Sequence, residues 1–427
     1  MIRHLSLSLV FLAGPVLAAP PPPVTALAFH PSGKFLAAGT HGDVAVIDVK
    51  GDVVAHLSGQ TARVTALAFS RDGKRLAVAS GEPAKSGVVR LYAVSEAGPK
   101  IEPAAELAGP KDIQYTLDFA PDHKTLAVAG YDRVIRIWDT DARKVTSELK
   151  DHSDTIYGVA FSPDGKLLAS ASADRAVKVW EVGTGKRLYT LGDPTDWVYA
   201  LTWHPEGKRL AAAGVDKSIR VWEATAEGGK LVQSVFAQTE PVTRLAYSKD
   251  GQFLYSIGEG KVVKKWDAGR MVEKLVYPPQ ADTALSLAVR PDGKQLAIGR
   301  FDGVLQLIDA DTGKVLAEPL PVKPKPPTVS KLTPNFGARG QTVRVTIDGT
   351  GLGEDASVLA GDGLAAKWVT TANAARREAD ITIAATAAVG PIPVRIKSAS
   401  GESAAVNFIV DRYAVVTDTT GIDSARK

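Results

Sequence analysis

Residues 152–191 read H-S-D-T-I-Y-G-V-A-F-S-P-D-G-K-L-L-A-S-A-S-A-D-R-A-V-K-V-W-E-V-G-T-G-K-R-L-Y-T-L. Four short β-rich runs stand out, 156–161, 167–172, 176–180 and 187–191, with turn residues between them. In Ser162-Pro163-Asp164-Gly165, proline presets the backbone at the second turn position and glycine relieves a strained one. Ala173-Asp174-Arg175 and Gly183-Thr184-Gly185 supply the next two turns. Four strands joined this way form one twisted sheet. The run Leu167-Leu168-Ala169, in place of strict alternation, marks it as buried on both faces.

Along the chain, the pattern V-T-A-L-A-F, a turn of the S-P-D-G-K kind, then L-A-x-A-x occurs seven times. The copies begin at Val24, Val64, Gln114, Ile156, Val198, Val242 and Ala284, at intervals of 40, 50, 42, 42, 44 and 42 residues. The long interval holds Gly/Pro-rich insertions around 81–86 and 98–110. One four-stranded sheet cannot cover both of its apolar faces, whereas seven stacked radially around an axis cover one another.

Near the end of the third strand the copies read Ile137-Trp138-Asp139, Val179-Trp180-Glu181, Val221-Trp222-Glu223 and Lys265-Trp266-Asp267, with Ile47-Asp48 and Ile308-Asp309 in the first and last. With the period of about 40–45 residues, these copies resemble the WD-repeat family over residues 24–318. The resemblance implies a seven-bladed β-propeller and, in the fourth copy, a structural tetrad of His152, Ser170 or Ser172, Asp174 and Trp180. Other copies are incomplete: Asp132, Asp216 and Asp302 keep the turn acid, but no histidine precedes them. These residues read as a buried hydrogen-bond network that fixes the sheet, not as a catalytic pair. Prolines 20–23 precede the first inner strand, and proline cannot donate to a ladder. The ring is therefore expected to close without strand exchange, the last copy having its own fourth strand at 315–318.

The remaining chain divides simply. Residues 1–19 carry a short basic start (Arg3, His4), an apolar run and small residues around 16–19, the pattern of a cleaved secretion signal. Prolines at 15 and 20–23 cut the run below the length of about 20 residues needed to span a bilayer. The protein is thus expected to be periplasmic or secreted, without membrane insertion. Residues 319–327, P-L-P-V-K-P-K-P-P, read as an extended linker following the propeller of 20–318. Residues 328–411 alternate polar and apolar in 343–347, 381–383 and 392–396, as half-buried strands do. Their size and some seven short strands suit an immunoglobulin-like β-sandwich. The order P-x-V-x-x-L-x-P-x-x-G-x-x-G resembles the IPT/TIG family of cell-surface and extracellular domains. Trp368 is expected in that core, and 412–427 as a tail. The fold class expected is all-β: a seven-bladed β-propeller followed by an immunoglobulin-like β-sandwich.

Composition narrows function by exclusion. The 427 residues hold no cysteine, so disulfide frameworks, thiolate metal sites and haem attachment fall away. A net charge of +4, from 51 basic and 47 acidic residues, lacks the concentrated basic face of a nucleic-acid binder. Lys34, Lys74, Lys124, Lys166, Lys208 and Lys294 share one turn position. Asp72, Asp122, Asp164, Glu206 and Asp292 two residues earlier offset five of them, and screening removes most of the rest. His30, His123 and His204 fall in the same turn of different copies, too far apart for one metal site. No H-E-x-x-H, G-x-S-x-G, phosphate loop or calcium loop occurs. The protein is read as a non-enzyme with no cofactor and no metal.

One arc differs. Three consecutive copies have tyrosine at the second residue of the inner strand, Tyr115, Tyr157 and Tyr199, where the others have Thr25, Thr65, Thr243 and Leu285. The same three have a cation after the turn acid, Arg133, Arg175 and Lys217. Tyr131 and Trp197 lie in loops on that end. Tyr, Trp and Arg are the residues enriched at binding hot spots, so this set is the candidate site for a protein or peptide partner. The competing reading is that the tyrosines fill gaps between blades and the cations are solvated. Two other function classes are weighed: a glycan- or cell-wall-binding adhesin, and a channel-sited hydrolase or lactonase, for which the needed carboxylate–His cluster is missing.

Overall fold

The repeated turns fold as the spacing demands. In the computed structural model, which describes residues 21–57, 59–60, 62–95, 100–107, 112–317, 320–321, 327–353, 356–369, 375–398 and 401–412, every regular element is a β-strand. The expected leader, most of the linker and residues 413–427 of the expected tail lie outside the described residues. The chain divides into two compact units at Val322 and Lys323.

In the first unit, the described residues form seven four-stranded antiparallel sheets of the propeller-blade kind, each from consecutive strands. The fourth is Ile156–Phe161, Leu167–Ser172, Val177–Glu181 and Arg187–Leu191. The innermost strands of the seven are Ala26–Phe29, Arg63–Phe69, Gln114–Phe119, Ile156–Phe161, Val198–Trp203, Val242–Tyr247 and Ala284–Val289. Each packs against the next, and the first packs against the last.

Between neighbouring sheets lies one apolar cluster per interface, which explains the residue at the tryptophan position. Trp138, Trp180, Trp222 and Trp266 each enter the cluster shared with the preceding sheet. Tyr92, Ile308 and Ile47 take the same place in the remaining three. A copy can therefore lose its indole and keep the fold, because a large apolar side chain is what the interface needs. The first and seventh sheets share such a cluster, with Leu36 and Ile47 against Ala297 and Leu307. There Val24 N donates to Arg300 O at 3.0 Å and Ser286 Oγ to Val24 O at 2.9 Å.

The last sheet departs from expectation in its fourth strand. Val315 forms only an isolated bridge with Ile308, and Leu316 N donates to Leu307 O at 3.0 Å. The fourth strand proper is Leu320–Pro321, paired with Val304 and Leu305, and not 315–318. The prolines at 319 and 321 supply no N–H, so this edge cannot pair as one unbroken run.

The turns are held from within. In the second and fourth sheets Asp72 and Asp164 accept from Ser70 and Ser162 hydroxyls at 2.6 Å and from the Lys74 and Lys166 amides at 3.1 Å. The acid of each turn thus serves the turn itself. His30 and His204 reach across to the next sheet, each with Nε2 donating to the carbonyl of a turn glycine, Gly73 or Gly251, at 3.0 Å. Gly73 has φ +74°, and a Cβ there would meet His30 Nε2 at 2.3 Å, so glycine is required twice over. His123 occupies the glycine position of its own turn, with φ +67°.

The second unit packs two sheets on one core. One sheet runs Thr328–Thr333, Thr342–Thr350, Arg376–Ile383, Leu364–Trp368; the other runs Phe336–Ala338, Val406–Asp411, Gly390–Ser398, Ser357–Ala360. Val345, Ile347, Ile381, Val394, Ile396 and Phe408 fill the space between them. Trp368 packs at the margin of this core, its Nε1 donating to Ala356 O at 2.6 Å and its ring under Arg377 at 4.3 Å.

Candidate functional site

The second residue of the repeat, counted from the copy starts, is set apart by a β-bulge in six of the seven sheets. In the fourth sheet Ile156 pairs with Ser172 and Gly158 with Ala171, leaving Tyr157 with no partner across the ladder. The same skip occurs at Thr65, Tyr115, Tyr199, Thr243 and Leu285. A bulge bends the strand and re-aims the extra side chain; Thr65, Tyr115, Tyr157 and Tyr199 line the cavity between the inner strands.

Thr25 and Thr65 use the position structurally. Their hydroxyls donate to the carbonyls of Val64 and Gln114, at the start of the next inner strand. Tyrosine gives up that bond. Tyr115, Tyr157 and Tyr199 instead form a row, with ring centres 5.4 Å apart for the first pair and 5.1 Å for the second. Trp197 extends it, 6.4 Å from Tyr157 and 6.5 Å from Tyr199. The three tyrosine rings are half-buried, while Trp197 and Tyr131 are exposed by 43% and 49%, enough to offer a ring face to another molecule. Burial pushes the Tyr157 phenol up to about 12, reinforced by the neighbouring tyrosines, and raises Tyr115 and Tyr199 as well. The three therefore stay protonated donors at neutral pH, and none of their hydroxyls has a hydrogen-bond partner among the described residues.

The cations of the arc stand on the turn between the second and third strands. Arg133, Arg175 and Lys217 have φ of +64°, +65° and +66°. The position demands left-handed backbone, which glycine fills at Gly42 and Gly303. Arg133 donates to Ser153 O at 3.3 Å. Arg133 and Arg175 are exposed, and Lys217 is partly so.

The tetrad residues join in one line. Trp180 Nε1 donates to Ser170 Oγ at 2.9 Å, Ser170 Oγ meets His152 Nε2 at 2.7 Å, and His152 Nδ1 meets Asp174 Oδ2 at 2.7 Å. Burial is the largest single influence on the Asp174 carboxyl and would raise it, but the bond to and charge of His152, the Ser153 amide and the Lys178 charge together hold the group below its ordinary range. Ser172, the alternative, donates instead to Asp154 O at 3.0 Å. The His152–Asp174 bond brings the loop before the inner strand and the turn after the second strand to one end, the end that bears Tyr131 and Trp197.

Sequence reasoning missed the stand-ins for the absent histidines. Asp132 and Asp216 each take an arginine four residues on, Arg136 and Arg220, and Asp302 takes Arg300. In the sixth sheet Gln238 occupies the histidine place: Gln238 Nε2 and Trp266 Nε1 both donate to Ser256 Oγ, at 3.2 and 3.0 Å. The signal was a glutamine four residues before the start of the repeat, at 60, 238 and 280. Phe301, exposed by 58%, was missed too. Its amide donates to Thr283 O as that of Tyr131 donates to Ile113 O, so it stands at the equivalent turn of the seventh sheet.

A family model described as WD domain, G-beta repeat matches residues 16–48, 51–92, 101–139, 143–181, 185–223 and 229–267, together more than half of the chain. The chain belongs to the WD40-repeat family. WD40 repeats generally serve as non-catalytic scaffolds and typically bind proteins. Human echinoderm microtubule-associated protein-like 2 is similar at 30% identity over 128 residues, 29% of this chain and 19% of that protein. The periodic tryptophan protein 2 homolog of Schizosaccharomyces pombe is 31% identical over 93 residues, 21% and 10% of the two chains. An uncharacterized WD repeat-containing protein of Synechocystis is 33% identical over 132 residues, 30% and 35%. The chain thus matches from about a tenth to about a third of the length of these relatives. Among the described residues of this WD40 protein, no group of three or more His, Asp or Glu could hold a metal ion, and no helix is long and apolar enough to cross a membrane.

Proposed function

We propose that the chain is an exported interaction scaffold: a closed seven-bladed WD40 propeller, joined to an immunoglobulin-like sandwich of IPT/TIG type, that binds a protein or peptide across its third to fifth blades. Export rests on the basic and apolar pattern of residues 1–19. Closure is supported by the apolar cluster and hydrogen bonds between the first and seventh sheets, and the sandwich by the two sheets on one core in the second unit.

The observation that carries the binding reading is the continuous aromatic row Tyr115, Tyr157, Tyr199 and Trp197, with unpartnered phenols and exposed Arg133 and Arg175 beside it. Rings with one apolar face and one polar tip, flanked by arginine, are the anchors that hold a peptide chain.

The test captures partners from envelope extract with the wild-type chain and with the double variant Tyr157→Ala, Arg175→Ala, quantified by mass spectrometry. A partner retained by the first and lost by the second, at equal thermal stability, supports this face. Equal capture by both sinks it. Retention of the wild type on polysaccharide, lost in the variant, replaces it with the adhesin reading, for which exposed Trp197 is the apt residue.

A further inference from the structure

The third residue of each repeat, counted from the starts at Val24, Val64, Gln114, Ile156, Val198, Val242 and Ala284, follows a rule with one exception. Six strands have a small residue there: Ala26, Ala66, Thr116, Gly158, Ala200 and Ser286. The sixth strand has Arg244. All seven line one cavity of about 270 Å³ between the inner strands, together with Tyr115, Tyr157 and Tyr199. The small residues leave the room that this one long cation enters.

Arg244 is poorly matched where it stands. A guanidinium offers five N–H donors and accepts nothing. The hydrogen bond it makes is from Nη1 to Thr243 O, its own neighbour, at 2.8 Å, and no carboxylate pairs with it among the described residues. The charge that bears on it is a second arginine, Arg63, and burial together with Arg63 lowers its pKa. Arg63 is exposed at the adjoining mouth, a cavity of about 390 Å³ that also meets Arg244, Tyr115, Tyr157, His41 and Glu82. Glu82 is already engaged, with Lys85 Nζ 2.8 Å from its carboxylate. Two arginines and two or three phenols, all donors with little to donate to, thus converge on one space. A cation partly withdrawn from water without an anion is costly, and charge-assisted hydrogen bonds to an oxyanion are the strong ones.

We propose that this cavity is an oxyanion site, in which Arg244 forks onto the oxygens of a carboxylate or phosphate group while Arg63 and the phenols of Tyr115 and Tyr157 complete the donor set. The proposal needs the cavity and not the peptide partner, so a small anion suffices to test it.

Inorganic phosphate and, separately, acetate are titrated into the full chain at constant ionic strength, with binding read by calorimetry and by tyrosine fluorescence. Wild type, Arg244→Ala and Arg244→Lys are compared. The expected result is saturable binding of one equivalent of phosphate, acetate or both, which also names the group preferred. Arg244→Ala weakens it by roughly tenfold to a hundredfold, the scale of one or two charged hydrogen bonds. Arg244→Lys falls between, since lysine keeps the charge and loses the fork. Phosphate stabilises many proteins by exclusion from their surface, so a melting-temperature rise counts only where Arg244→Ala abolishes it. No saturable binding to wild type, or equal binding by wild type and Arg244→Ala, overturns the proposal. Should Arg244→Ala fail to fold, the wild-type titration and Arg244→Lys decide.

Discussion

The third and fourth sheets are neighbours with nearly the same strand lengths and register, yet their polar interiors are built differently. In the fourth, Ser170 sits opposite Lys178 and Val159, and it links Trp180 to His152 and Asp174. In the third, Val128 takes that place, opposite Arg136 and Leu117, and the Trp138 indole N–H is buried with no partner among the described residues. The third adds a carboxylate where the fourth has Ala160: Asp118, whose Oδ2 accepts from Phe161 N at 2.8 Å across the interface. Burial pushes the Asp118 carboxyl up to about 6, against the lowering pull of that bond and of Arg71. One sheet is stabilised by an internal polar line, while its neighbour does without that line and reaches sideways. A blade thus needs its apolar interface more than any fixed polar signature.

The largest effect that would break this contrast is His152→Ala. It leaves Asp174 and Ser170 buried with lost partners, and about 2–4 kcal/mol of stability should vanish in chemical denaturation. A loss below about 1 kcal/mol would mean the tetrad is decorative.

Next comes Asp118→Asn. A carboxyl whose folded pKa is raised contributes stability that is fully present below its unfolded pKa, near pH 4, and is lost as pH rises through about 6. Asparagine can still accept from Phe161 N. The variant should therefore be more stable than wild type by about 1–3 kcal/mol at pH 7.5 and gain nothing at pH 4. Denaturation curves at the two pH values check this, and a less stable variant at pH 7.5 would refute it.

Smaller still is the difference between two indoles. Trp180→Phe and Trp138→Phe remove similar apolar area, but only the first breaks a hydrogen bond and only the second sheds an unpaired donor. Trp180→Phe should cost about 1–2 kcal/mol more, and equal costs would erase the distinction between the sheets. Finally, Tyr157→Ala should change stability by about 1 kcal/mol or less, since the ring sits outside the ladder and is half-buried. A larger loss in thermal denaturation would recast the aromatic row as packing.

The architecture was legible wherever one residue type has one physical job. Pro163 and Gly165 fix a turn in any context, and Trp180 at a strand end needs a buried interface. What stayed hidden depends on what lies across an interface. Arg136 and Arg220 replace histidine only because strand register brings them back to Asp132 and Asp216. The reach of His30 to Gly73 joins residues of different copies. The tyrosines were singled out by position, but their aim comes from a bulge, which leaves no mark in composition. Arg244 broke the small-residue rule in plain sight. Its weight emerged only once six neighbours were seen to share one cavity with it. The split fourth strand of the last sheet shows the converse: Val315 and Leu316 have strand-like character, but the prolines that follow decide the pairing.

The bulged residue near the start of six of the seven inner strands gives this chain unusual evolutionary latitude. Because it has no ladder partner, exchanging it leaves the hydrogen-bond grid of its sheet intact. Thr65, Tyr115, Tyr157, Tyr199, Thr243 and Leu285 can therefore be reset without redrawing the ladder, so that selectivity can drift while the scaffold stands still.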